Sequence, residues 1–184
     1  MKGRKIAAGR ISSKREGKEG FRPTSSKVRE AVFDILKNYI AGAAFLDLYA
    51  GSGAVGFEAL SRGAVRCCFV EREPRLFGEI ISSVRKIGLD ERAVVLREEA
   101  ILFLQRAAIT GVTFGIIFAD PPYASEEISR ILPLLDEGKV LQETGILLIE
   151  HSSKKVIAHG GHTLKLLKTY KYGDTMLTLF RKES

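Results

Sequence analysis

The sequence predicts an α/β fold: a mostly parallel sheet with helices on both faces, closed at its end by an antiparallel hairpin. Three observations carry that prediction. From Phe45 onward, short apolar runs alternate with stretches of helical periodicity, the rhythm of βαβ units joined by right-handed crossovers. Gly51, Gly53 and Gly56 sit between an apolar run and a helical pattern, where a strand must turn sharply into a helix. Thr163 to Tyr172 and Thr175 to Arg181 flank Gly173-Asp174, which reads as a hairpin.

In chain order, residues 1–24 are rich in Lys, Arg, Gly and Ser, with Ile6, Ala8 and Ile11 hinting at a short strand or hairpin. Phe21-Arg22-Pro23-Thr24 is held extended by its proline. Thr24 or Ser25 can then cap a helix running to about Tyr39, with Val28, Ala31, Val32, Ile35 and Leu36 as its apolar stripe. Strands follow near 44–49, 66–71, 93–97, 114–119 and 145–150. Helices fill roughly 54–62, 73–87, 99–109 and 125–137. The last two strands are the hairpin. No internal repeat or low-complexity linker interrupts the series.

Composition bounds the function. The chain has 184 residues, 45% hydrophobic, enough for a real core and outside the disorder regime. No apolar run is long enough to span a bilayer, and no apolar segment follows the basic N-terminus as a secretory signal requires. Cys67 and Cys68 are adjacent within an apolar run, so they point to opposite faces of a strand and suit a reducing compartment. The expectation is a cytoplasmic protein. Net charge is +7, and residues 1–30 carry all of it, with ten Lys and Arg against three Glu. A neutral body with a basic arm points to a polyanion held at one place, most often nucleic acid.

The candidate chemistry lies at the strand ends, because open parallel sheets bind ligands beyond their carboxyl edge. Gly51, Gly53 and Gly56 fit the dinucleotide pattern G-x-G-x-x-G, a weak match by itself. Asp47, just before the turn, would repel a pyrophosphate and suits a cationic group such as an amino-acid ammonium. Glu71 ends the second strand at the spacing where an acid meets a ribose diol. Arg97-Glu98-Glu99-Ala100 ends the third, and an acid there, Glu99 in preference to Glu98, could accept from an exocyclic amine such as that of adenine. The fourth strand ends in Phe118-Ala119-Asp120-Pro121-Pro122-Tyr123. Two prolines stiffen this turn and hold the Asp120 carboxylate and the Pro121 carbonyl in one geometry. Both are acceptors able to hold the two N–H protons of an amino group on a base, and Tyr123 offers a ring face for stacking. His151, His159 and His162 have no acid or nucleophile arranged beside them in the sequence pattern and read as ordinary surface or loop histidines.

Asp47-x-x-x-Gly51-x-Gly53, then Glu71, then Asp120-Pro121-Pro122-Tyr123, resembles the S-adenosylmethionine-dependent amino-methyltransferases of Rossmann-like, class I type. Arg22-Pro23-Thr24 with Val28-Arg29-Glu30 and Phe33, then Asp47 through Gly53, then Glu58-Ala59-Leu60-Ser61-Arg62-Gly63, is similar to the RsmD family, over nearly the whole chain. That family methylates the exocyclic N2 of a guanine in bacterial 16S ribosomal RNA. The resemblance implies S-adenosylmethionine as methyl donor, with no metal, and a monomer acting on 16S ribosomal RNA away from membranes. It implies a cofactor cradle of Asp47, Tyr49, Ala50, Gly51, Ser52, Gly53, Glu71, Arg72, Glu99 and Ala100, with Asp120 at its edge. Asp120, Pro121, Pro122 and Tyr123 would hold the target base, and Arg10, Lys14, Arg15, Arg22, Lys27 and Arg29 the RNA. Residues 1–40 would then be a basic RNA-contacting arm and helix, and 41–184 the methyltransferase domain. Where such proteins often carry Asp at the adenine, this chain has Glu98-Glu99. The rival readings are an amino-methyltransferase of adenine, cytosine or a protein amide, a nicotinamide-dependent oxidoreductase, and a non-catalytic RNA-binding module.

Overall fold

A computed structural model describes residues 26–123, 126–157 and 161–183. Its elements run α1 (Ser26–Leu36), β1 (Ala44–Leu48), α2 (Ala54–Ser61), β2 (Arg66–Val70), α3 (Pro74–Ile87), β3 (Ala93–Leu96), α4 (Ala100–Thr110), β4 (Phe114–Ala119), α5 (Glu127–Asp136), β5 (Leu141–Ser152), β6 (Leu164–Tyr172) and β7 (Thr175–Lys182). The seven strands form one sheet in the order β3-β2-β1-β4-β5-β7-β6. β1 to β5 are parallel to one another, and β7 runs antiparallel to both β5 and β6. This is the expected α/β, Rossmann-like sheet with its hairpin.

Strand alternation sorts the core into two layers. Phe45, Phe69, Ile116, Phe118, Ile146 and Leu148 face one way, against buried residues of α1, α2 and α3. Leu46, Leu48, Ile117, Ala119, Leu147 and Ile149 face the other way, against α4 and α5. The cysteines obey the same period: Cys67 lies in the first layer and Cys68 in the second. Both thiols are free, and burial pushes them up, Cys68 to about 12, so neither offers a thiolate at neutral pH. Among the described residues no helix is long and apolar enough to cross a membrane.

Two boundaries differ from the periodicity. α1 stops at Leu36, and Tyr39 N–H closes a turn on the Leu36 carbonyl at 2.8 Å. β5 begins at Leu141, four residues before the expected start. Its first part, Gln142-Glu143-Thr144-Gly145, is polar and reads as a turn, and Thr144 does adopt a left-handed φ of 60°. The ladder to β4 shifts register there yet resumes, because Leu141 pairs with Phe114 before the irregularity and Ile146 with Ile116 after it. α1 belongs to the body of the fold, since Val28, Ala31, Val32, Phe33 and Leu36 join the same core layer as Phe45 and Phe118.

Candidate functional site

The strand order reverses between β1 and β4, so the loops after these two strands diverge and leave a crevice at the carboxyl edge. On the β1 side the chain turns through Tyr49, Gly51 and Gly53, all at positive φ (72°, 56° and 78°). Gly51 and Gly53 meet that demand without a Cβ penalty, whereas Tyr49 adopts a conformation uncommon for a side-chain-bearing residue. Three bonds over-determine it. Tyr49 and Ala50 N–H both donate to the Val70 carbonyl at 3.1 and 3.0 Å, and the Tyr49 hydroxyl donates to Glu127 Oε2 at 2.7 Å.

The turn is held by carboxylates from the strands beneath it. Asp47 is 1% exposed, and its Oδ2 accepts the Gly56 N–H at 2.8 Å. A local side chain would normally cap a helix start; here the cap comes from β1, because Gly53 at the N-cap position has no side chain to offer. Burial pushes the Asp47 carboxyl up to about 7; the Gly56 N–H opposes the rise and the nearby Glu71 adds to it. Glu71, 8% exposed, accepts Gly51 N–H on Oε2 at 2.7 Å and Glu73 N–H on Oε1 at 2.8 Å. Each carboxylate oxygen can accept two hydrogen bonds, so Glu71 retains acceptor capacity on both. Gly56 serves packing: a Cβ there would collide with the Phe69 ring and lie 2.7 Å from Cys67 Sγ.

Beyond the ends of β2 and β3 opens a cleft of about 540 Å³ lined by Arg72, Glu73, Arg97, Glu98, Glu99 and Leu102. Two acids compete for a role there. Glu98 is held by a bidentate pair with Arg106, at 2.6 and 3.2 Å, while exposed Glu99 stands at the N-cap of α4 without a side-chain cap bond. Ala100, the first residue of α4, is buried beside it.

On the other side of the crevice, Asp120 follows β4 directly, its N–H on the Leu48 carbonyl at 3.4 Å. Pro121 is buried and Pro122 exposed, and Tyr123 is 38% exposed. The Tyr123 hydroxyl donates to Glu150 Oε1 at 2.9 Å, so Thr175 Oγ, 2.8 Å away, donates to the tyrosine oxygen. The Asp-Pro-Pro-Tyr turn is thereby laced to β5 and β7. Burial and the neighbouring carboxylates raise the Tyr123 hydroxyl further above its ordinary value.

Glu150 is the residue the sequence reading passed over. It is 4% exposed, burial raises its pKa, and the Tyr123 hydroxyl opposes that rise. The signal lies in the sequence: Glu71, Asp120 and Glu150 each end an apolar run, but no glycine turn or proline pair stands beside Glu150 to mark it. Register joins them. Leu48 is level with both Val70 and Ala119, and Ala119 with Ile149, so Glu71, Asp120 and Glu150 follow at one height along the edge. Each stands two residues beyond a member of the same core layer, Phe69, Phe118 and Leu148.

The remaining candidates lie apart from this row. Lys27 is exposed and Arg29 half-buried in the first turns of α1. Arg10, Lys14, Arg15 and Arg22 lie outside the described residues, as do the short strand suggested near Ile6 to Ile11 and His159. His151 is not the surface or loop histidine the sequence suggests: it is buried within β5, its Nε2 2.8 Å from Thr178 Oγ1, because the β5–β7 ladder extends past Glu150.

The family model described as conserved hypothetical protein 95 matches residues 2–181. The chain is 35% identical over 161 residues to "Putative rRNA methyltransferase YlbH" of Bacillus subtilis, covering 88% of each chain. It is 33% identical over 165 residues to ribosomal RNA small subunit methyltransferase D of Escherichia coli, covering 90% of this chain and 81% of that one. The solved structure named "Putative methyltransferase yhhF from Escherichia coli" superposes with a TM-score of 0.78 at 28% identity, covering 90% and 89% of the two chains.

Proposed function

The chain belongs to the RsmD family of methyltransferases, and from that premise we propose that it moves the methyl group of S-adenosylmethionine to the exocyclic N2 of a guanine in small-subunit ribosomal RNA. The relatives named ribosomal RNA small subunit methyltransferase D support the RNA class. The observation that carries the reading is the Asp120-Pro121-Pro122-Tyr123 turn, one strand from the glycine turn and facing it across the crevice.

The residues fit such a cofactor. Glu71, with acceptor capacity left on both oxygens, suits a ribose diol. The glycine turn lets a ligand approach the backbone where side chains would stand. The cleft beyond β2 and β3 has room for a base, with Glu99 and Arg72 at its wall. Asp47 supports the turn through Gly56 where the methionine end would lie. S-adenosylmethionine supplies a methyl already activated on a positive sulfur, so the protein has mainly to position the acceptor.

Asp120 and the Pro121 carbonyl accept the N–H protons of the guanine amine. This withdraws its lone pair from the ring and aims it at the methyl. As the N2–CH3 bond forms and the S–CH3 bond breaks, the Asp120 carboxylate meets the positive charge developing on nitrogen, the inverse of an oxyanion hole. The neutral sulfide leaves, and the surplus N–H proton passes to Asp120 and on to solvent. Tyr123, tied by its hydroxyl to Glu150, presents its ring to the base. Holding the nitrogen at attack distance can supply roughly 7–11 kcal/mol of the barrier. Lys27 and Arg29, with Arg10, Lys14, Arg15 and Arg22, would hold phosphates as the basic end of the chain approaches RNA.

The test is transfer of labelled methyl from S-adenosylmethionine to unmodified 16S RNA and to assembled small subunits, followed by digestion to nucleosides. The expected product is N2-methylguanosine at one site. Label in N6-methyladenosine or N4-methylcytidine instead would replace guanine with those acceptors.

A further inference from the structure

We propose that Glu150 is a specificity residue: its Oε2 accepts the N1–H of the target base, beside the amine held by Asp120, and so selects guanine. The inference rests on the guanine-N2 reading and names the group within the site that recognises the base.

Glu150 Oε2 is shielded from solvent and is the single buried side-chain oxygen or nitrogen without a hydrogen-bond partner among the described residues. Buried carboxylate oxygens are normally satisfied, because leaving one unpaired forfeits its hydration without compensation. The opposite oxygen of the same group is held firmly by Tyr123, itself held by Thr175. The carboxylate is thus fixed through one oxygen and short of a donor on the other. It stands one residue beyond the Ala119–Ile149 pair, level with Asp120 on the neighbouring strand and on the same face of the sheet. Neighbouring strands are about 4.8 Å apart, so two carboxylates stand side by side at this edge.

Two adjacent acceptors match a base edge with two adjacent donors. Guanine presents N1–H next to its N2 amine. Adenine presents a bare N1 lone pair next to its N6 amine, which would face Glu150 with two acceptors opposed. Cytosine likewise has a lone pair at N3 beside its N4 amine. Of the three bases with exocyclic amines, only guanine satisfies both Asp120 and Glu150. An acceptor site of this kind discriminates strongly, because the wrong base leaves a buried polar group unpaired.

The experiment replaces the nucleotide that wild-type protein methylates by 2,6-diaminopurine, in a 16S RNA ligated from two pieces. This base keeps the N2 amine but has a lone pair at N1. Wild-type protein is expected to methylate it with kcat/KM at least about tenfold below that for guanine. Glu150→Gln, whose carboxamide can donate to N1, is expected to lose activity on guanine and to raise the diaminopurine-to-guanine ratio at least about tenfold over wild type. S-adenosylmethionine affinity and melting temperature, measured alongside, report whether the variant is folded. Equal use of the two bases by wild-type protein overturns the proposal without needing any variant, as does an unchanged ratio in folded Glu150→Gln. A wild-type product other than N2-methylguanosine overturns the underlying function instead, and nucleoside analysis separates the two failures.

Discussion

The two sides of the crevice treat their carboxylates in opposite ways. Around β1 and β2 each buried acid is satisfied by backbone: Asp47 by the Gly56 N–H, Glu71 by those of Gly51 and Glu73. Around β4 and β5 the buried acid Glu150 meets a side chain, the Tyr123 hydroxyl, and keeps its other oxygen with no donor. Backbone donors cannot be removed by a rotamer change, so the first side is a cradle whose shape is set before anything binds. The second side keeps one acceptor in surplus, which is what the proposed capture and release of a donor-bearing base requires.

That contrast can be broken by substitution. Asp120→Ala should have the largest effect, a loss of about 10²–10³-fold in methyl transfer to RNA, with S-adenosylmethionine binding retained by calorimetry. Turnover near wild type would remove Asp120 from the chemistry. Glu71→Gln should do the reverse. It loses a charge-assisted acceptor to the ribose, weakening S-adenosylmethionine binding by about 1.5–3 kcal/mol while transfer at saturating cofactor stays closer to wild type. If both variants instead lower affinity and turnover equally, the two sides do not divide the work.

Tyr123→Phe keeps the ring but removes the donor to Glu150, leaving both its oxygens unpartnered. A stability loss of about 1–3 kcal/mol in urea denaturation is expected, with a smaller effect on transfer than Asp120→Ala. At Asp47 the effect is read against pH. Its folded pKa is raised from 3.8 to about 7, so the folded state holds the proton more tightly than the unfolded chain. Its contribution to stability is therefore full below about pH 4 and is lost as pH rises through about 7. Asp47→Asn, whose amide oxygen can still accept the Gly56 N–H, should flatten the stability profile across that window. An unchanged profile would mean that Asp47 does not titrate there.

Much of this molecule could be read before it was seen folded. Strand alternation, helical periodicity and the Gly173-Asp174 turn specified the layers and the closing hairpin, because burial of one face imposes its period on the residues themselves. The start of β5 escaped for the same reason. Gln142 to Thr144 are exposed, with no buried face to reveal them, and lie in the irregularity between the Phe114–Leu141 and Ile116–Ile146 pairs. Motifs likewise marked Asp47, Glu71 and Asp120, since each stands next to glycines, prolines or a strand end that restrict the backbone.

What only the tertiary structure decided is partnership. Asp47 was expected to face a cationic ligand, and the fold shows one of its oxygens capping α2 through Gly56. Glu98 and Glu99 are equivalent in sequence until Arg106, eight residues beyond Glu98 in α4, engages Glu98. Tyr123, Glu150 and Thr175 come from three strand ends far apart in the chain, and no spacing foretells that they share a line of hydrogen bonds. Local sequence determines which backbone each residue adopts, because those forces act over a few bonds. Which buried oxygen is satisfied and which is left waiting depends on the strand that the sheet sets beside it.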